Sequence, residues 1–233
     1  MHKIDIPENI IARARRQRGR DHVIERIEPG RTAHVVVDLQ HGFMAEGAPV
    51  EVPMARAIVP NVNLISAALR HAGGLNVFLR YTYDPAEPQP WTTFFDTYLA
   101  PEKSATHRDA FTRGAESWQL WPLLDVQPSD AIVDKTRFSA FVPGTCKLDE
   151  ILQARGIDTL IVTGTLTNVC CESTARDAMQ RNYQVVFVAD GNAAITDAEH
   201  NATLGNMIAL FADVMKTAEI AALIEADTRL GAA

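Results

Sequence analysis

The stretch TGTLTNVCCESTARDA, residues 163–178, decides how this chain is read. It overlaps the apolar run DTLIVTG (158–164). That run is short, continuous and rich in β-branched residues, the pattern of a strand buried on both faces. It ends at Gly164, a tight turn follows, and the spacing from Asn168 to Arg181 predicts a helix. A thiol at Cys170 then falls in the first helical turn, where backbone N–H groups and the helix dipole favour an anion. This placement predicts a lowered thiol pKa, and the same N–H groups could hold an oxyanion. Cys171, about 100° further round the helix, is expected to face the core or a neighbouring helix. Cys146, in PGTCKL (143–148), has no partner that the sequence reveals. A small buried hydrophobe is the ordinary fate of any one cysteine.

Outward from this stretch, strands and helices alternate. Strands are predicted at AHVVVDL (33–39), LNVFLRY (75–81), DAIVDK (130–135), YQVVFVAD (183–190) and DVMKT (213–217). Helices are predicted from Pro60 to the Gly73–Gly74 stop, and at 148–156, 197–212 and 218–226. Six strands separated by helices imply an α/β fold, a three-layer α-β-α sandwich with a six-stranded, mostly parallel sheet. Residues 82–118 hold four prolines and a cluster of aromatics and read as irregular, a cap or interface element.

Residues 1–30 read as a basic arm ahead of one domain spanning 31–233; through Arg31 the arm's net charge is +3. Within it, IIARARRQRGR (10–20) suggests a short basic helix broken at Gly19, lying on the body or on a neighbouring subunit. The whole chain has 22 Lys and Arg against 29 Asp and Glu, a net charge of −7, which argues against a phosphate-backbone binder. No apolar run reaches the ~18 residues of a membrane span. The N-terminus shows no signal-peptide core, so a cytoplasmic location is expected. Three cysteines, two of them adjacent, form no disulfide framework.

In parallel sheets the active site lies beyond the carboxyl ends of the strands. That rule selects Asp38, Lys135 and the 164–170 turn. A carboxylate, a cation and a thiol at one sheet edge fit a cysteine nucleophile with a carboxylate base and a charge-tuning lysine. Taken singly, each residue has an ordinary structural use as a satisfied carboxylate, a strand-end ion pair or a buried thiol.

The pieces VVVDLQHGF (35–43), DKTRFSAF (134–141), GIDTLIVTGTLTNVCCESTARDA (156–178) and VVFVADGNAA (185–194) together resemble the isochorismatase-like cysteine hydrolase superfamily. The resemblance implies a Rossmann-like six-stranded parallel sheet and a catalytic triad of Asp38, Lys135 and Cys170. It also implies a non-proline cis peptide at Thr165–Leu166 and an oxyanion hole from the N–H groups of Leu166 and Cys170. Cys171 stands where the family usually has Val, which supports a packing role for it.

Family members that cleave a vinyl ether usually lack the cysteine, so a C–N bond is the expected target. Nicotinamidases carry a metal-binding Asp-x-His and a further His after the second strand. Here RYTYDPAEPQP (80–90) has no His, so no metal site is expected, and the implied mechanism calls for no other cofactor. Arg113, Gly114 and Trp118 are similar to positions in ureidoacrylate, biuret and N-carbamoyl amidohydrolases. The implied function is a metal-independent amidohydrolase acting on a small amide, ureido or N-carbamoyl compound through a Cys thioester and releasing ammonia or an amine. Alternatives are an ester or small cyclic amide as substrate, or a non-catalytic binding role.

For the substrate pocket, Gln40, Tyr81, Phe138, Phe141 and Asn168 are the candidates, with Trp91 as a further wall residue. Arg80 and Arg137 are candidate carboxylate binders. Each has a structural alternative: Gln40 as a strand end, Asn168 as an N-cap, the aromatics as core and the arginines in surface ion pairs. A homo-oligomer, dimer or tetramer, is expected from the resemblance.

Overall fold

The computed structural model describes residues 1–231. Six strands form one sheet: β1 (Thr32–Val37), β2 (Leu75–Tyr81), β3 (Ala131–Lys135), β4 (Thr159–Thr165), β5 (Gln184–Ala193) and β6 (Asp213–Met215). Their order is β3-β2-β1-β4-β5-β6, and every neighbouring pair is parallel. This is the doubly wound order, with its switch point between β1 and β4.

The central strands are apolar on both faces because both faces are covered. On one side, Ile65 and Leu69 of α3 (Ala55–His71) and Ile220 and Ile224 of α8 (Thr217–Gly231) pack on Ile161, Val186 and Val188. On the other, α5 (Leu148–Ala154), α6 (Glu172–Gln180) and α7 (Asp197–Asn206) pack on Val35, Val77, Leu160, Val162 and Phe187. Successive strand residues therefore serve opposite layers.

Gly164 shows why this edge of β4 has the sequence it does. Its φ is +127°, and a Cβ there would lie 2.1 Å from the carbonyl oxygen of Val37. Only glycine lets the end of β4 approach β1 this closely.

Some expected boundaries move. The α3 helix begins at Ala55, with Pro60 inside it, instead of opening at Pro60. An internal proline costs about 3 kcal/mol, but Ala55, Ile58, Val59 and Val62 all bury on the same side and offset it. The helix expected over 197–212 ends at Asn206 and continues as a π-helical turn, Met207–Phe211. Residues 82–118 are not irregular throughout. They contain a π-helical turn, Thr93–Tyr98, and the helix α4 (Pro101–Phe111), which starts with proline at its first position. The α4 helix buries only Ser104, Ala110 and Phe111, too few for a visible apolar period. A one-turn helix, α2 (His41–Met44), follows β1.

The N-terminal segment is tied to the body. Its helix α1 (Glu8–Arg18) ends at Gly19, φ +76°. Arg18 donates to the carbonyls of Ile208 and Ala212 and lies 3.5 Å from the carboxylate of Asp213. The backbone N–H groups of Val23 and Ile24 also donate to Asp213. Among the described residues no helix is long and apolar enough to cross a membrane.

Candidate active site

Asp38 is the first residue past β1, and it bends the chain with φ +52°, a left-handed conformation uncommon outside glycine and associated with functional sites. Lys135 ends β3, two strands away. Between them lies β2, whose Tyr81 is in register with Lys135. The lysine side chain is long enough to cross β2: its Nζ passes 5.3 Å from the Tyr81 ring centroid and reaches Asp38 Oδ2 at 2.7 Å. Nζ also donates to the carbonyl of Arg137 at 3.0 Å. Both side chains of the pair are 0% exposed.

Cys170 arrives from β4. The expected helix start is instead a π-helical turn, Thr167–Cys171, and α6 begins after it. Such turns are rare and occur often at functional sites. The turn is pinned from both ends. The Leu166 carbonyl accepts the N–H groups of Val169 and Cys171, each at 3.1 Å. Buried His200 donates Nε2–H to the Ala189 carbonyl, so its Nδ1 accepts the Thr167 hydroxyl at 3.0 Å. The Thr165–Leu166 peptide bond is cis. Cys171 faces the core with Ala175 and Ala178.

The electrostatics differ from the expectation of a ready thiolate. Burial pushes the Cys170 thiol up; the Lys135 charge opposes this and the Asp38 charge adds to it. Cys170 is therefore a neutral thiol at rest, because the ammonium is already committed to a carboxylate. Burial also raises Asp38, against the pull of Lys135. For Lys135 the cost of burial is outweighed by the Asp38 charge and its hydrogen bond, and its pKa is raised. The arrangement holds a charged pair beside an uncharged nucleophile. A proton can pass from Sγ to the carboxylate without any net charge entering the site.

Cys170 opens onto a cavity of about 240 Å³. Tyr81, Phe138 and Leu166 line it as well, together with Phe43, Val50, Val169 and Ile195. Two further polar side chains complete the wall, Glu51 and His107, and no residue pattern marks either. His107 lies on α4, whose weak apolar period concealed it. Burial lowers His107 to about 4, so the ring is neutral.

Three pocket candidates lie elsewhere. Gln40 spends its amide on the backbone: Nε2 donates to the carbonyls of Tyr81 and Trp118, and Oε1 accepts the Tyr81 N–H at 2.7 Å. It clamps strand ends together, with both amide hydrogens used and the side chain fully buried. Phe141 is buried under α6, its ring 5.6 Å from that of Tyr183. Asn168 is no N-cap, since the π turn replaces the helix start, and it is absent from the cavity wall.

Arg80 pairs with Asp134 at 2.8 Å and stacks on Trp118, while Arg137 bonds to the carbonyls of Thr136 and Gln89 over Trp91. Neither arginine reaches the cavity. Trp91 stands behind Phe138, ring centroids 4.6 Å apart. Cys146 lies in a bridge to Lys135, and burial raises its thiol to about 11. Among the described residues no three His, Cys, Asp or Glu side chains are grouped to share a metal ion.

Both the sequence and the fold have counterparts among known proteins. The isochorismatase domain profile matches residues 32–219. A ureidoacrylate amidohydrolase, RutB, of Pseudomonas savastanoi pv. phaseolicola is 32% identical over 199 residues, 80% of either chain. The crystal structure of a cysteine hydrolase from Pseudomonas syringae pv. phaseolicola superposes with a TM-score of 0.77 at 32% identity, covering 86% of this chain and 95% of that one. An N-carbamoylsarcosine amidase from Thermoplasma acidophilum shares the fold, with a TM-score of 0.65 at 24% identity over 80% of this chain and 96% of its own. By sequence and by fold, the chain belongs to the isochorismatase family.

Proposed function

We propose that this protein is an amidohydrolase that cleaves the C–N bond of a small amide, ureido or carbamoyl compound by way of a Cys170 thioester. The observation that carries the reading is the buried convergence of Asp38, Lys135 and Cys170 beside a cavity that Cys170 lines. A charged pair buried at 0% exposure is costly, and its position against the thiol gives that cost a use. The 32% identity to an enzyme named for amide hydrolysis supports a C–N target.

In the first half-reaction the Asp38 carboxylate takes the Sγ proton as sulfur attacks the carbonyl carbon. The new S–C bond leaves an oxyanion, for which the N–H groups of Leu166 and Cys170 are the donors we assign. Asp38 returns the proton to the leaving nitrogen, the C–N bond breaks, and ammonia or an amine departs. Water then gives a proton to Asp38 and adds to the thioester carbon. The C–S bond breaks, sulfur recovers the proton, and an acid is released. Lys135 remains an ammonium throughout, keeping Asp38 ionised when it must accept a proton.

Ammonia release from a panel of amides and ureas, with mass spectrometry of the quenched enzyme, tests this. Turnover with an acyl adduct on Cys170 is expected. Cys170→Ser should lower kcat by roughly 10⁴ or more while the protein stays folded. Full activity in that variant would dismiss the thioester route.

A further inference from the structure

The wall of the Cys170 cavity specifies more than the bond. Two residues of the wall carry a buried polar atom with no protein partner among the described residues: the Tyr81 hydroxyl and His107 Nε2. Their rings meet edge-on, centroids 5.4 Å apart. Tyr81 is only 2% exposed, so its hydroxyl has little access to bulk water. A buried polar atom left unpaired is costly, and two on one cavity wall mark where a ligand's polar group is received. Burial keeps the phenol protonated and the imidazole neutral, so the pair offers hydrogen bonds without charge.

Apart from Glu51 and the Cys170 thiol, the other side chains of the wall are carbon. That carboxyl is held below its usual range, first by the Gly47 N–H and then by Arg56, and is ionised at neutral pH. The cations nearby are all committed. Lys135 serves Asp38, Arg80 serves Asp134, and Arg137 is held by backbone carbonyls. Among the described residues no free cation faces the cavity, so a carboxylate-bearing substrate would enter a small apolar site unpaired, beside a Glu51 whose charge Arg56 already balances.

We infer, on the amidohydrolase reading above, that the substrate is an uncharged amide or urea with a short apolar tail. Tyr81 and His107 receive its polar head, and the tail lies against Phe43, Val50, Phe138 and Ile195. The cavity volume lies just below the range of about 300–1,000 Å³ that holds drug-sized ligands, which favours a compact molecule. The ureidoacrylate of the related enzyme's name carries a carboxylate, so this pocket sets the chain apart from that activity.

Two pairs of compounds of equal length test the inference: hexanamide against adipamate, and propylurea against 3-ureidopropionate. In each pair a terminal methyl is replaced by a carboxylate. The neutral member is expected to have a kcat/KM about 100-fold higher, since an unpaired carboxylate would be desolvated against carbon. His107→Leu should raise KM for the neutral member about tenfold with kcat within about twofold, the loss of one binding hydrogen bond. Val50→Lys, which places a cation in the wall, should raise kcat/KM for the carboxylates about tenfold.

Hydrolysis that favours the carboxylates, or treats the members of a pair equally, would overturn the inference and leave the amidohydrolase reading intact. An unchanged KM in His107→Leu would remove His107 from the binding role. Silence on all four compounds, with no adduct on Cys170, would overturn the amidohydrolase reading and this inference with it.

Discussion

His34 and Asp38 lie four residues apart, one within β1 and one just past its end, and both side chains are fully buried. The two flank the valine run 35–37, yet they are treated differently. The His34 ring nitrogens are both satisfied by hydroxyls, Ser66 Oγ at 3.1 Å and Thr163 Oγ1 at 2.8 Å. Burial lowers the ring to about 3, so it is neutral and carries no counter-charge. Asp38 has a counter-charge at 2.7 Å, a thiol beside it and a cavity beyond the thiol. A buried polar group whose hydrogen bonds close on themselves belongs to the scaffold. One that keeps a charge and a transferable proton within reach of a cavity is equipped for chemistry.

The largest effect should come from the charged pair. Lys135→Met leaves a buried carboxylate alone, which costs roughly 3–5 kcal/mol of stability. Asp38→Asn combined with Lys135→Met should recover much of that loss, because no unpaired charge remains and Asn tolerates a positive φ. Both proteins should lose at least about 10³ in kcat. Denaturant unfolding and steady-state rates measure the two effects separately. A double variant that regained activity would remove the pair from the reaction.

A smaller effect is expected at the neutral site. His34→Leu strands the hydroxyls of Ser66 and Thr163 and should cost about 1–3 kcal/mol. Its kcat should stay within about twofold of the parent, the ordinary result for a site remote from the chemistry. A tenfold fall in kcat would erase the distinction between the two sites.

A further effect is visible only as a slope against pH. His34 is held to about 3, and His107 and His200 to about 4, each by burial. In the unfolded chain each titrates near 6.5, so between about pH 4 and 6.5 the unfolded state binds protons that the native state refuses. Stability is therefore fully present above about pH 7 and falls as the pH drops through that window. The slope is about 1.4 kcal/mol per pH unit for each histidine. His34→Leu should reduce the slope measured by denaturant unfolding at several pH values. An unchanged slope would mean that His34 is not held neutral.

The sequence was most legible where the rule was local. Continuous apolar runs placed all six strands within a few residues, because a strand covered on both faces must be apolar throughout. Gly19 ended its helix where a left-handed residue was needed. Asp38, Lys135 and Cys170 stood out because strand ends in a parallel sheet share one edge. The cap was less legible. The α4 helix buries three residues and shows no period, so His107 was hidden in a segment read as irregular. Gln40 and Phe141 looked like pocket residues by position, yet one is consumed by backbone hydrogen bonds and the other by the core.

By itself, the sequence determined the layered sheet, the strand ends and the three side chains at one edge, since each follows from residue type and spacing along the chain. Only the tertiary structure decided their ionisation and the character of the pocket. The thiol is neutral because Lys135 crosses β2 to Asp38 and because burial disfavours a bare thiolate. The cavity is apolar because the nearby arginines find partners elsewhere. Both are matters of distance and desolvation between residues far apart in sequence, and no local pattern records them.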